Sequence, residues 1–175
     1  QRKYPVNIAR IKEETLEIQR ILGVEDFAVD LWFCSEAKIR EMNCDWRGKS
    51  KSTDVLSFPA CDFTQPGVID ESDPTLQFEK HLGDIVIAPA YVARQLTRDE
   101  EYAGNYEGEE EEEEEEDDAG VSKAMATNFD LEQRYRLLIV HSLVHLLGYD
   151  HETPDEWIQM TTKEEEVLRS LRLVE

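Results

Sequence analysis

The stretch from Phe129 to His151, FDLEQRYRLLIVHSLVHLLGYDH, decides the fold. Leu131, Tyr135, Leu138, Ile139, Leu143, Leu146 and Leu147 recur at helical spacing over a broad face, as a central helix requires. The pattern predicts a helix from Phe129 to Leu147, capped by Asn128 or Thr127. On such a helix His141 and His145 lie about 40° apart around the axis and share a face. Gly148 then suits a left-handed cap that turns the chain and lets His151 return from the loop. Three neutral imidazoles with one coordination position left open form a catalytic site for a divalent ion, zinc above all. Three of the four histidines of the chain fall within these eleven residues, which argues against ordinary helix-end histidines.

The spacing also matches the HExxHxxGxxH signature of metzincin-type proteases. Those enzymes carry a general-base glutamate after the first histidine, and here that position is Ser142. A serine hydroxyl has far too high a pKa to serve instead, so peptidase chemistry by that route is not expected. Met160 falls in a helical stretch and reads as packing. His81, alone before Gly83–Asp84, reads as a surface or loop histidine.

Working outward, Asn7–Leu22 has the periodicity of an amphipathic helix stopped by Gly23. Phe27–Cys34 reads as a strand, and Ser35 caps a helix over about Glu36–Asn43. The polar loop CDWRGKSKS leads to a second strand at Thr53–Phe58, closed by Pro59. Residues Cys61–Lys80 read as a long loop with a short strand near Leu76–Phe78. Leu82–Ala88 is a further strand, and Pro89 starts a helix that runs to about Thr97. A last amphipathic helix spans Glu152–Leu171, opened by Thr153–Pro154. Four strands among these helices make a small sheet in an α+β domain.

At 175 residues the chain suits one domain, residues 1–175. No apolar run is long enough to span a bilayer, and no signal peptide opens the sequence, so neither membrane association nor secretion is expected. Gln1 stands first, so the chain reads as processed or trimmed. Of the net charge of −21, ten units sit in the unbroken run Glu109–Asp118, which leaves −11 for the rest. A nucleic-acid surface on such a chain has to be a local basic patch. The block from about Asp99 to Ala126 lacks apolar periodicity and reads as a disordered acidic insertion. Cys34, Cys44 and Cys61 form no CxxC pair and read as reduced thiols.

One basic patch does exist, in Asn43–Pro59, NCDWRGKSKSTDVLSFP. Arg47, Lys49 and Lys51 cluster there, and Arg47 sits between Trp46 and Gly48, where a guanidinium can clamp a phosphate. The same residues could equally be a solvated basic loop. If the loop folds over the histidines, the pair makes a phosphodiesterase site: a metal to activate water and an arginine to neutralise the phosphate.

Together, the HxxxHxxGxDH block at His141–His151, the N..(Y/W)RG...(S/P)TDVLSFP block at Asn43–Pro59 and LGDIVI at Leu82–Ile87 resemble the YbeY family of single-strand-specific, metal-dependent endoribonucleases. The resemblance spans nearly the whole chain apart from the acidic insertion. It implies an α+β fold, a small mixed four-stranded sheet packed with central helices, and one Zn2+ per chain on His141, His145 and His151. It implies hydrolysis of single-stranded RNA in ribosomal RNA maturation, with rRNA precursors and ribosomal subunit proteins as partners. Arg47 takes the place of the family's catalytic arginine, with Lys49 and Lys51 as substrate-binding neighbours. Thr53, Asp54, Ser57 and Asp84 match further characteristic positions, and these, with Asp150, are expected to shape the cleft or orient ligands. Ser142 replaces a glycine common among relatives. The acidic block suggests a eukaryotic, plant organellar member, in the chloroplast, with mitochondrion or bacterial cytoplasm as alternatives. Two other functions fit less of the sequence: a metallohydrolase such as a zincin-like peptidase, and a non-catalytic ribosome-assembly factor with a structural zinc.

Overall fold

The computed structural model describes residues 4, 6–70, 80–104, 124 and 130–173. Their elements run α1 (Ile8–Leu22), β1 (Ala28–Phe33), α2 (Glu36–Arg47), β2 (Val55–Pro59), β3 (His81–Ile87), α3 (Pro89–Gly104), α4 (Leu131–Leu146) and α5 (Pro154–Ser170). The class is α+β, as the alternation of helical and strand periodicities predicts. Among the described residues the sheet has three strands and not the expected four. The strand expected near Leu76–Phe78 lies outside the described residues.

The sheet order is β1-β3-β2, with β3 parallel to β1 and antiparallel to β2. From Ile85 to Ile87, central β3 is apolar on both sides. Ile85 and Ile87 join the main core, while Val86 packs in a second cluster with Ile39, Leu56 and Ala88. Helix α4 lies against β2 and β3 and is flanked by α1, α3 and α5. Ten of its sixteen residues are buried, on every side of the helix, so it can only be an interior element.

Local chemistry sets the ends. Asn7, Ser35, Asp130 and Thr153 each accept a backbone N–H at a helix start, and Thr153 with Glu156 completes a capping box. The cap of α4 is thus Asp130, not Asn128 or Thr127. Helix α2 runs a turn beyond Asn43, because Gly48 supplies the left-handed cap (φ 68°) and Trp46 packs edge-on against Phe58. Arg47 therefore ends a helix and is not part of a loop. Helix α3 continues past Thr97 to Gly104, held where Asp99 pairs with the buried Arg134 at 2.8 Å. Ala124 is buried in the main core. The block read as a disordered insertion from Asp99 thus begins as helix and contains a core residue; residues 105–123 lie outside the described ones. Met160 is fully buried packing. The described residues contain no helix long and apolar enough to cross a membrane.

Gly83 is the tightest point of the sheet. Its φ is +139°, and a Cβ there would stand 2.1 Å from the Phe58 carbonyl oxygen. Neither backbone can yield without breaking the β2–β3 pairing. Gly83→Ala is therefore expected to cost about 3 kcal/mol or more in urea unfolding; wild-type stability would contradict this packing.

Candidate functional site

The histidines are placed by the end of α4. The helix stops at Leu146, Gly148 adopts φ +85°, and its N–H bonds the His145 carbonyl at 2.9 Å. A side chain at Gly148 would also meet Phe63, at 3.0 Å from its Cβ. The loop after β2 thus folds onto this turn, and the Gly67 N–H donates to the Leu147 carbonyl at 2.8 Å. That loop, with no periodic signal in the sequence, braces the turn from which His151 returns.

His141, His145 and His151 converge so that one ligand nitrogen from each lies within 4.8 Å of the others. All three are half-buried. The Nδ1 of His145 donates to the Tyr149 carbonyl at 2.9 Å, and that of His141 to a Glu164 carboxylate oxygen at 2.6 Å. Both bonds place the ring proton on Nδ1 and leave the Nε2 lone pair for an ion. Burial, followed by the neighbouring His141, pulls the pKa of His145 down from 6.5 to about 4, so it is a neutral donor at physiological pH.

Glu164 supplies a further test of whether a cation fits. It is 2% exposed, its second oxygen has no hydrogen-bond partner, and no lysine or arginine pairs with it among the described residues. A carboxylate this deep is costly without compensating positive charge. A cation on the far nitrogen of His141 provides it. The residues present fit a divalent ion. Sequence reasoning missed Glu164, which lies 23 residues from His141 in an ordinary acidic helix face.

Ser142 is fully buried, and its hydroxyl finds no partner among the described residues. It cannot serve as a base in an open site, consistent with the argument against metzincin chemistry. Asp150 accepts the His151 backbone N–H at 2.8 Å and so shapes the loop, not a ring. Asp54 accepts the Val55 N–H at 2.8 Å and the Thr53 hydroxyl, tying down the start of β2. Ser57 sits in β2 opposite Ile85. Asp84 groups with Asp30 and His81, away from the three-histidine set. His81 opens β3 and is half-buried, so it is a sheet residue and not the loop or surface histidine expected. Arg47 is exposed at the end of α2, and among the described residues it makes no hydrogen bond or ion pair. No bond or ring contact joins it to the histidines. Lys49 and Lys51 are exposed on the segment that follows, where the Lys51 carbonyl accepts from Asn43 at 2.9 Å.

The chain matches the family model described as Endoribonuclease YbeY over residues 2–113 and 118–172. A protein named Endoribonuclease YbeY from Thermoanaerobacter sp. is 30% identical over 95% of this chain and 86% of its own length. One of the same name from Clostridioides difficile is 31% identical over the same shares. A solution structure from Thermotoga maritima aligns with 97% of this chain and 89% of its own at 21% identity and a TM-score of 0.44.

Two outcomes test the site. Glu164→Gln keeps the shape but removes the charge behind His141, and is expected to weaken divalent-ion affinity about 10–100-fold in a competition titration, with the circular dichroism unchanged. In the metal-free protein the unfolded chain protonates His145 near pH 6.5 and the folded chain only near 4. Its contribution to stability is therefore lost as pH falls through that window. A thermal midpoint of the metal-free protein that is lower at pH 4.5 than at pH 7, with the difference reduced in His145→Gln, is the expected result.

Proposed function

Because the chain belongs to the YbeY endoribonuclease family, we propose that it is a zinc-dependent hydrolase that cuts single-stranded RNA during ribosomal RNA maturation. The observation that carries this is the convergence of three half-buried imidazoles, two of them held by their Nδ1 atoms with the other nitrogen available. Neutral imidazole donors favour zinc among the common ions, though nickel or copper suit the same donors.

When bound on His141, His145 and His151, the ion supplies Lewis acidity at a phosphodiester and lowers the pKa of water. The rest falls to the protein. Glu164 and the Tyr149 carbonyl fix the rings, so no reorganisation is needed as charge develops on the phosphate. Arg47 is assigned to hold and neutralise the phosphate, its guanidinium uncommitted to any partner among the described residues. Lys49 and Lys51 extend the same positive edge along the RNA backbone. On a chain this acidic, that edge confines RNA to one approach.

Ribosomal subunit proteins are proposed partners on the same functional ground, and pull-down of the full chain with assembling subunits tests them. A chloroplast location is proposed from the acidic block, and imaging of a tagged chain tests it.

The decisive experiment incubates the purified chain with single-stranded RNA, with and without chelator. Cleavage is expected to need the metal, and Arg47→Ala should lose nearly all activity while binding the ion as the wild type does. Full activity in Arg47→Ala would sink the assignment of the arginine, and cleavage indifferent to chelator would sink that of the ion.

A further inference from the structure

A second group of metal-ligating side chains stands on the sheet, outside the three-histidine site. It consists of Asp30 on β1 with His81 and Asp84 on β3, and one ligand atom from each lies within 4.8 Å of the others. Residues three apart on a regular strand point to opposite faces. His81 and Asp84 escape that rule because the register slips: Ala28 pairs with His81, but Val29 pairs with Gly83. Leu82 is the extra residue of a bulge, which turns His81 and Asp84 to one face. Asp30 joins them there, directly opposite Asp84. The bulge at the head of β3 has thus brought a nitrogen and two carboxylates together.

The charges around this group favour a cation. Like charges directly across a strand pair destabilise it, and Asp30 and Asp84 are such a pair. Among the described residues no lysine or arginine pairs with either carboxylate. The adjacent Lys80 is committed elsewhere, in an ion pair with Asp26 and over the Phe27 ring. His81 Nε2 is 3.6 Å from the Asp30 carboxylate, too far for a hydrogen bond. That nitrogen is itself shut off from solvent and has no hydrogen-bond partner among the described residues. One ion placed among the three would complete the orphaned nitrogen and neutralise the facing carboxylates at once.

We infer that Asp30, His81 and Asp84 form a second divalent-metal site, which clips β1 to β3 beside the bulge. One imidazole with two carboxylates suits a first-row transition ion such as Mn2+ better than Mg2+ or Ca2+, which take oxygen ligands. The site is independent of the three histidines, so it holds whatever reaction they serve.

Equilibrium dialysis of the full chain against Mn2+ tests it. Asp30 is exposed, so Asp30→Asn should fold as the wild type does, which circular dichroism checks. The expected result is that Asp30→Asn loses one bound Mn2+ per chain, and that the same loss appears when His145→Ala is the starting protein. Ions held loosely by the run Glu109–Asp118 are common to both chains and cancel in the difference. His81→Gln, which keeps the size of the side chain but not its ligand nitrogen, should lose the same ion. Equal Mn2+ binding by the wild type and Asp30→Asn would overturn the site, as would a loss seen with Asp30→Asn but not with His81→Gln.

Discussion

Helix α4 has to put Leu137, Leu138, Ile139, Val140, Leu143, Val144 and Leu146 out of water, and these side chains point to all sides of it. Each is worth about 1.5–3 kcal/mol when fully buried. The helix therefore needs cover on every flank, which the sheet, α1, α3 and α5 supply. A helix enclosed in this way reaches solvent only near an end, and His141 and His145 lie in its last two turns. The position of the site follows from the burial of the helix that carries it.

The same enclosure sets the electrostatics. His145 is neutral because its surroundings penalise charge, and Glu164 is buried with, among the described residues, no lysine or arginine partner and only the His141 ring bonded to its carboxylate. Each group is unfavourable alone. Together, as donors and counter-charge to one ion, they would be consistent, and metal binding at such a site couples to folding. Arg47 is the opposite case. It stands in solvent at a helix end, makes no hydrogen bond or ion pair among the described residues, and contributes little to the fold.

The sheet shows a comparable division. Ile85 and Ile87 of β3 anchor one face in the main core, and Val86 anchors the other with Ile39 and Leu56. Only the head of the strand departs from regular pleating. There Gly83 lets β3 pass close under the Phe58 carbonyl, and the extra residue Leu82 re-aims His81. A small backbone irregularity thus changes which side chains meet, without disturbing the apolar part that holds the sheet together.

Features set within a few residues were legible in the sequence. Chelating spacing of His141 and His145 follows from the helical repeat, the return of His151 from the need for a glycine at position 148, and the caps at Asn7, Ser35 and Thr153 from side chains that satisfy free N–H groups nearby. The ends of α2 and α3 were misjudged because Trp46 is held by Phe58 and Asp99 by Arg134, partners far along the chain. Glu164 behind His141, the Phe63 loop against Gly148, and Asp30 beside His81 and Asp84 likewise depend on packing between distant segments. No local periodicity encodes such pairs. The three histidines were therefore legible in the sequence as candidate ligands, but their ring partners Glu164 and the Tyr149 carbonyl, and the Phe63 loop braced against their turn, were decided only by tertiary structure, because packing between distant segments selects which polar groups meet.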